Sequence, residues 1–267
     1  MSRDLAEDAG QGRPDCGLSS ALPPVSGERS VGVPLDRSSA EQELCGPLER
    51  GSFPVHLGAR VVTPGARPRV HGYDVEGDLV RHYQPSDLAF LSLTGELPAP
   101  EVSRAFAIAL VFLAPVSVAH ASVHAAVLGR LCGATAAATF GVAAVGLAQH
   151  ARVLVEEHAL LLAWLKSPNV PLPERYRSKG EDEDAAVGRL REALEPTSLE
   201  VRGLKERPTR DAALVMLLFA CGIKRRERLE AALLLARLPS TLAEALAERP
   251  ANLANYPANL PRFAYQE

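Results

Sequence analysis

The sequence predicts an all-α protein, and three observations support this fold class. Apolar residues recur at helical spacing over most of residues 86–247. Aromatic residues make up only 5% of the chain, so Ala, Leu and Val must build the core. No phosphate-binding glycine motif and no repeat of fixed period is present, which disfavours Rossmann, P-loop and solenoid folds.

Length and composition exclude several classes of protein. The chain has 267 residues, of which 47% are apolar and 23% are charged. This composition excludes a disordered chain, a collagen-like repeat and a disulfide scaffold, and the length is sufficient for a sizeable core. The net charge of −3 offers no overall attraction for nucleic acid or acidic lipid. We therefore expect neither a nucleic-acid nor a membrane partner.

The predicted elements follow one another in a simple order. Residues 1–50 are rich in Gly, Pro, Ser and charge, which is typical of a flexible leader. Between residues 55 and 80, short apolar pieces separated by Pro and Gly indicate brief strands or turns. Ser86 is the expected N-cap of the first helix, which ends at Gly95. The helical segments predicted from periodicity are 88–93, 101–113, 118–131, 134–165, 185–194, 211–221 and 225–247.

Breaks and linkers separate these segments. Pro115 and the pair Cys132–Gly133 interrupt the helical pattern, and residues 168–173 form a linker. Residues 175–184 are charged, so we expect them to be exposed and mobile. We also expect the last helix to break at Pro239, with Ser240 capping the remainder.

Cysteine use and the first residues predict a cytoplasmic protein. Cys16, Cys45, Cys132 and Cys221 are far apart, without a CxxC pair, so free thiols in a reducing compartment are expected. The first ten residues carry acidic rather than basic side chains, unlike a secretory signal. The apolar stretch 105–119 contains Pro115 and is better explained by buried helices than by a membrane span.

Several polar residues lie within the apolar helical segments. His120 and His124 are spaced i, i+4, which suits two metal ligands, but no acidic residue accompanies them and we predict no metal site. His150 and His158 are eight residues apart with Glu156 and Glu157 beside them, which allows acid–base chemistry. A solvated Glu-Glu-His patch on the helix surface is the more common arrangement for such a charged run. Asp211 opens an apolar helix, where a carboxylate also favours the helix dipole.

Motifs along the chain resemble those of the citrate synthase family. Near the N-terminus, His71-Gly72-Tyr73-Asp74-Val75-Glu76 resembles a Gly-Tyr-Asp-Ile-Glu turn of that family. The segment Leu91-Ser92-Leu93-Thr94-Gly95-Glu96-Leu97-Pro98 resembles a family helix that ends in Gly-Glu-Leu-Pro. Later segments also resemble family motifs. Leu147-Ala148-Gln149-His150-Ala151-Arg152 resembles a Leu-His-Gly-Gly-Ala segment, and Asp211-Ala212-Ala213 resembles the start of an Asp-Gly helix. Leu235-Ala236-Arg237-Leu238-Pro239 resembles a Gly-Arg helix, and the tail Pro261–Tyr265 loosely resembles a terminal Arg-Pro and Tyr. The resemblance covers about residues 55–267, and the short length is most similar to the citryl-CoA lyase branch.

This resemblance implies a fold, a reaction and roles for named residues. It implies a helical domain over residues 51–267, with a large subdomain and a small one near 168–235, that assembles as a homodimer or with a related subunit. The reaction makes or breaks a carbon–carbon bond between an acyl-CoA, typically acetyl-CoA, and a 2-oxo acid, typically oxaloacetate. The coenzyme A thioester is a substrate, and no permanently bound cofactor is expected. The implied roles are catalysis by His150 and by Asp211 as the base, and binding of substrate carboxylates by Arg237 and by Arg262 across the dimer.

The sequence also departs from the family pattern. Ala151-Arg152 replaces the Gly-Gly pair, Leu113-Ala114-Pro115 replaces an Asp-His-Gly segment, and no histidine follows His158. The second catalytic histidine of the family is therefore missing, and His120 or His124 is the candidate to replace it. Three hypotheses result: an acyl-CoA synthase or lyase, a catalytically degenerate relative that binds or regulates, and a metal protein built on the His120 pair.

Overall fold

The described part of the chain is mostly helical, which confirms the predicted fold class. The structure is a computed structural model that describes residues 58–167 and 170–250, all within one compact unit of the chain, Gly58–Glu267. The predicted leader, residues 1–50, and Arg262 lie outside the described residues. The helices are α1 (Val80–His82), α2 (Pro85–Thr94), α3 (Pro100–Leu113), α4 (Ala121–Leu131), α5 (Ala136–Glu157), α6 (Ala159–Lys166), α7 (Glu181–Leu194), α8 (Arg210–Ala220) and α9 (Arg226–Ala247).

A small antiparallel sheet precedes the helices, as the short apolar pieces predict. Its strands are β1 (Val62–Thr63), β2 (Arg69–Val70) and β3 (Tyr73–Asp74), in that order, with Val70 opposite Val62 and Tyr73. His71 and Gly72 form the turn between β2 and β3, with φ of 49° and 87°. A two-residue hairpin of this kind needs positive φ at both positions, which explains the glycine in the motif.

Helix α8 occupies the centre of the main core. All its residues from Ala212 to Leu218 are buried, so the helix is apolar on every side. Helices α3, α6 and α7 contact it, and α9 contributes buried residues to the same core. Phe106 of α3 packs edge-on against Phe90 of α2, with 5.3 Å between ring centroids. This central position holds the N-terminus of α8, and with it Asp211, at a fixed place.

A second, smaller cluster joins α4, α5 and α9. Its buried members are Val123, Ala126 and Val127 of α4, Ala143 of α5 and Ala245 of α9. The buried residues of α5 follow each other at four-residue intervals from Thr139 to Ala151. This narrow buried stripe leaves much of α5 exposed, including Val142 and Val145.

Several element boundaries differ from the predicted ones. Gln84, rather than Ser86, caps α2, because the side chain of Asp87 accepts a hydrogen bond from the Gln84 backbone N–H at 2.8 Å. His120 is the N-cap of α4 rather than a residue inside the helix. The predicted helix 134–165 is two helices that meet at His158.

The segment 175–184 is only partly exposed, contrary to expectation. Tyr176 is buried and donates a hydrogen bond from its hydroxyl to the Glu157 carbonyl at 3.0 Å, and Arg177 pairs with Pro208 in an isolated β-bridge. Helix α7 begins at Glu181, earlier than predicted. The acidic residues of its first turn favour this early start, because they interact with the positive end of the helix dipole.

Helix α9 continues through Pro239, so the predicted break is wrong. Proline removes one backbone donor from the helix, but α9 remains helical from Arg226 to Ala247. Ser240 does not cap a new helix; its hydroxyl donates to the backbone carbonyls of Ala114 and Arg237. The Ala114 contact fixes α9 against the end of α3.

The single tryptophan of the sequence, Trp164, anchors the loop before α8. Its indole N–H donates to the Val170 carbonyl at 2.8 Å, and the guanidinium of Arg202 lies 4.2 Å from the ring centroid. Arg202 also donates to the carbonyls of Trp164 and Leu165 at the end of α6. Gly203, with φ of 80°, touches the ring so closely that a Cβ there would lie 2.7 Å from the indole. Only glycine fits both the backbone angle and this contact.

Candidate active site

Four residues singled out from the sequence line one cavity of about 280 Å³. They come from four helices: His120 caps α4, His150 belongs to α5, Asp211 to α8 and Arg237 to α9. We call this space the polar cavity. Its other lining residues are Phe112, Leu113, Pro115, Val116, Ser117, Arg210 and Leu214.

The two histidines of the polar cavity contact each other directly. Nε2 of His120 lies 2.9 Å from Nδ1 of His150, and the rings are nearly perpendicular with centroids 4.0 Å apart. Nδ1 of His120 lies 2.8 Å from the hydroxyl oxygen of Ser122. Both ring nitrogens of His120 are therefore engaged, whereas His150 uses only Nδ1 in this contact.

The surroundings keep both imidazoles neutral near pH 7. Burial, and after it the neighbouring His120 and the Arg237 cation, together lower the pKa of His150 to about 4, against the opposing effect of Asp211. Burial and Arg237 also lower the pKa of His120. A neutral imidazole can donate one hydrogen bond and accept another, as chemistry on a carbonyl oxygen requires.

Arg237 provides a positive charge with unused hydrogen-bond donors. Its Nε and Nη1 atoms are buried and make no hydrogen bond. Burial lowers the pKa of the guanidinium and the nearby Arg210 lowers it further, while Asp211 raises it. Because a buried cation with unpaired donors is costly, an anion in the polar cavity would be stabilised there.

Asp211 lies at the N-terminus of α8, where the resemblance implies the base. Thr209 caps this helix, its hydroxyl oxygen accepting the Ala212 N–H at 3.4 Å, and the Asp211 side chain is exposed. The adjacent Arg210 donates to the Phe112 carbonyl at 3.0 Å and so joins α8 to the end of α3. Arg210 is a cavity residue that no sequence motif predicts, although its place beside Asp211 is a signal for it.

Other histidines singled out from the sequence lie elsewhere. Among the residues that line the polar cavity, His124 is absent; it lies one turn after His120 on α4. His158 is buried at the junction of α5 and α6, where Nδ1 lies 2.8 Å from the Leu154 carbonyl oxygen and the ring stacks on Tyr176. Within residues 58–167 and 170–250, no three His, Cys, Asp or Glu side chains form a group able to hold a metal ion.

A second cavity, of about 750 Å³, lies at the loop before α7. Arg175, Arg177 and Lys179 line it, together with Thr209, the cap of α8. Three acidic residues of the first turn of α7 share this space: Glu181, Asp182 and Glu183. The cavity that these three cations line therefore extends to Thr209, two residues before Asp211 in sequence, although acidic groups partly balance their charge.

An apolar groove of about 770 Å³ runs along α4 and α5 beside the polar cavity. His120 and His150 line both spaces, and the rest of the groove is formed largely by Ala, Gly and Val. Between Arg130 and Arg152 the sequence contains no charged residue. Among the described residues, α5 is the one helix long and apolar enough to cross a membrane. About a third of its most apolar stretch is buried within the protein.

Comparison with known proteins identifies the fold. No protein-family model matches the sequence, and no curated protein matches it. Among solved structures, citryl-CoA lyase from Hydrogenobacter thermophilus is similar, with a TM-score of 0.54 and 17% identity over 78% of this chain and 97% of that chain.

ATP citrate lyases have the same architecture within a longer chain. The enzyme from Methanothrix soehngenii, solved with citrate and coenzyme A, matches with a TM-score of 0.50 and 12% identity over 92% of this chain and 47% of that chain. A mutant ATP citrate lyase from Methanosaeta concilii, solved with (3S)-citryl-CoA, matches with a TM-score of 0.50 and 13% identity over the same shares. Thus the chain has the helical fold that citryl-CoA lyase shares with ATP citrate lyase, as the resemblance of its motifs to the citrate synthase family predicts.

Proposed function

We propose that this protein breaks or makes the carbon–carbon bond between an acyl-CoA and a 2-oxo acid, as a citryl-CoA lyase-like enzyme. One observation carries the proposal: His150, Asp211 and Arg237, from three separate helices, line a single polar cavity. These are the residue types that the reaction requires, namely a neutral donor, a carboxylate base and a cation for a carboxylate substrate. The fold of citryl-CoA lyase supports the same reaction class.

Each residue has a definite part in this reaction. Arg237 binds a carboxylate of the 2-oxo acid through its unpaired donors. In the direction of bond formation, Asp211 takes the α-proton of the thioester, and His150 donates a hydrogen bond to the enolate oxygen that results. The enolate carbon then attacks the ketone, and the resulting alkoxide takes up the proton that Asp211 removed, which restores the Asp211 carboxylate. Arg237 and Arg210 stabilise this developing negative charge.

Coenzyme A is proposed as part of the substrate rather than as a resident cofactor. The cations Arg175, Arg177 and Lys179 are suited to its phosphates, and Thr209 connects their cavity to the helix that bears Asp211. This arrangement would direct the thioester end toward the polar cavity.

The proposed assembly is a homodimer in the cytoplasm, formed through the apolar groove of α4 and α5. Val145 on this face is 72% exposed, and no charge interrupts it between Arg130 and Arg152. Such an exposed apolar face is typical of a protein–protein interface. A heterodimer with a related subunit would use the same face.

A second candidate function is a binding or regulatory subunit without catalysis. The observation that favours it is the missing second histidine: none follows His158, and both ring nitrogens of His120 are already engaged. Loss of one such electrophilic group typically costs about 10²- to 10³-fold in rate.

Calorimetric titration with coenzyme A, acetyl-CoA, oxaloacetate and citrate, followed by an assay of citryl-CoA cleavage, tests the proposal. We expect binding of citrate to be lost in Arg237→Gln, and cleavage to be lost in Asp211→Asn and His150→Ala with binding retained. Exposed His82 and Glu244 provide matched controls, since His82→Ala and Glu244→Gln should change neither. Binding without cleavage by the intact protein would favour the regulatory subunit, and absence of all binding would refute the proposed substrates.

A further inference from the structure

We infer that Ser122 and His120 are positioning residues that act through His150, forming a hydrogen-bonded chain that places the proton of His150 on Nε2, facing the ligand. The inference rests on the proposed function for the direction of the chain, because the ligand oxygen of that reaction requires this N–H. The chain itself rests on the geometry of α4 and α5.

His120 lines the polar cavity but has no ring nitrogen left for a ligand. Its Nδ1 contacts the Ser122 hydroxyl at 2.8 Å, and its Nε2 contacts Nδ1 of His150 at 2.9 Å. Any effect of His120 on chemistry must therefore pass through His150. This distinguishes it from a direct replacement for the missing catalytic histidine.

A close helix contact builds the chain. An added Cβ at Gly146 of α5 would lie 2.8 Å from the Cβ of Ser122 and 3.0 Å from its Cα, so only glycine allows α4 to approach this closely. Gly146 lies one helical turn before His150, so the contact holds Ser122 and His120 over the His150 ring. As the N-cap of α4, His120 has an extended backbone, with φ of −72° and ψ of 133°.

The chain couples the positions of three protons. A neutral imidazole has one N–H and one acceptor nitrogen, so each contact can run in only one direction at a time. If the Ser122 hydroxyl donates to Nδ1 of His120, then Nε2 of His120 donates to Nδ1 of His150, and the proton of His150 lies on Nε2. The reverse order would leave Nε2 of His150 as an acceptor.

Charged groups of the cavity determine how many protons the two rings carry. Asp211 of α8 interacts favourably with a proton on His150, since its carboxylate raises the pKa of that ring. Arg237 of α9 opposes a second proton on the pair and keeps both rings neutral. The proposed reaction favours the first order, because an enolate oxygen requires the N–H donor that this order places on Nε2 of His150.

Long-range ¹H–¹⁵N correlation spectra of the protein with ¹⁵N-labelled histidine test the chain directly, because they show which ring nitrogen carries the proton. We expect both His120 and His150 to show the Nε2–H form near pH 7. In His120→Phe, which keeps a ring but no nitrogen, His150 should change to a mixture of the two forms. Ser122→Ala should produce the same loss of order with minimal change in packing, and exposed His82→Ala serves as the control that leaves both signals unchanged.

Two results would overturn the inference: a wild-type His150 protonated on Nδ1, or a His150 signal that is unchanged in both His120→Phe and Ser122→Ala. If the protein cleaves citryl-CoA, His120→Phe should lower kcat by about 10²-fold with little change in KM, as expected for a wrongly placed proton. Spectra of the expected form without any cleavage would confirm the chain and refute the proposed function, so the two failures are distinguishable.

Discussion

His150 links the acid stability of the protein to the candidate site. Its pKa in the folded state is about 4, against an ordinary value of 6.5, so between these values the unfolded chain binds a proton that the folded chain does not. Its contribution to stability is complete above about pH 6.5 and is lost as the pH falls toward 4. We expect acidification from about pH 7 to about pH 5 to reduce the free energy of unfolding more in the wild type than in His150→Gln. Urea titrations at each pH would measure this, and parallel pH profiles would contradict it.

At the same scale, the sequence predicts some site residues and misses others. His150, Asp211 and Arg237 are predicted from the sequence, because each lies in a short segment that resembles a family motif, and all three line the polar cavity. Ser122 and Arg210 are missed, because contacts distant in sequence bring them to the site: Ser122 packs against Gly146 of α5, and Arg210 donates to the Phe112 carbonyl. Role assignments carried over from the resemblance remain predictions, and Arg262 lies outside the described residues.

Among the elements, the contact between α4 and α5 gives a sharp test at Gly146. Alanine there gains about 1 kcal/mol of helix propensity but clashes with Ser122, so we expect a net destabilisation of about 1–3 kcal/mol. Gly188 of α7 has no atom within 4 Å of an added Cβ, so Gly188→Ala should stabilise by up to about 1 kcal/mol. Chemical unfolding of both variants measures the difference, and stabilisation by Gly146→Ala would show that α4 is free to shift.

Element types are more predictable than element boundaries. Periodic apolar residues suffice to predict the helices, because burying one face requires that spacing. The start of α4 at His120 and the break at His158 depend on caps and tertiary contacts that periodicity does not reveal. The predicted break at Pro239 is wrong for the same reason, since α9 tolerates the loss of one backbone hydrogen bond.

For the whole molecule, the exposed face of α5 predicts self-association. Val145 is 72% exposed on this face, whereas Val111 is 70% exposed on α3 outside it. We expect Val145→Glu to convert a dimer into a monomer in sedimentation experiments, because a buried unpaired charge is costly. Val111→Glu should leave the dimer intact. A wild type that is monomeric at all concentrations, or equal effects of the two changes, would contradict the proposed interface.

The packing of Trp164 also makes the molecule its own fluorescent reporter. It is the only tryptophan in the sequence, is 5% exposed and is covered by Arg202 and Gly203. Its emission therefore reports on one corner, where the loop before α8 meets the end of α6. Asp211 lies at the start of α8, directly after this loop. A ligand that shifts the start of α8 should therefore change the surroundings of the indole, and ligand binding can be followed by tryptophan fluorescence without a label.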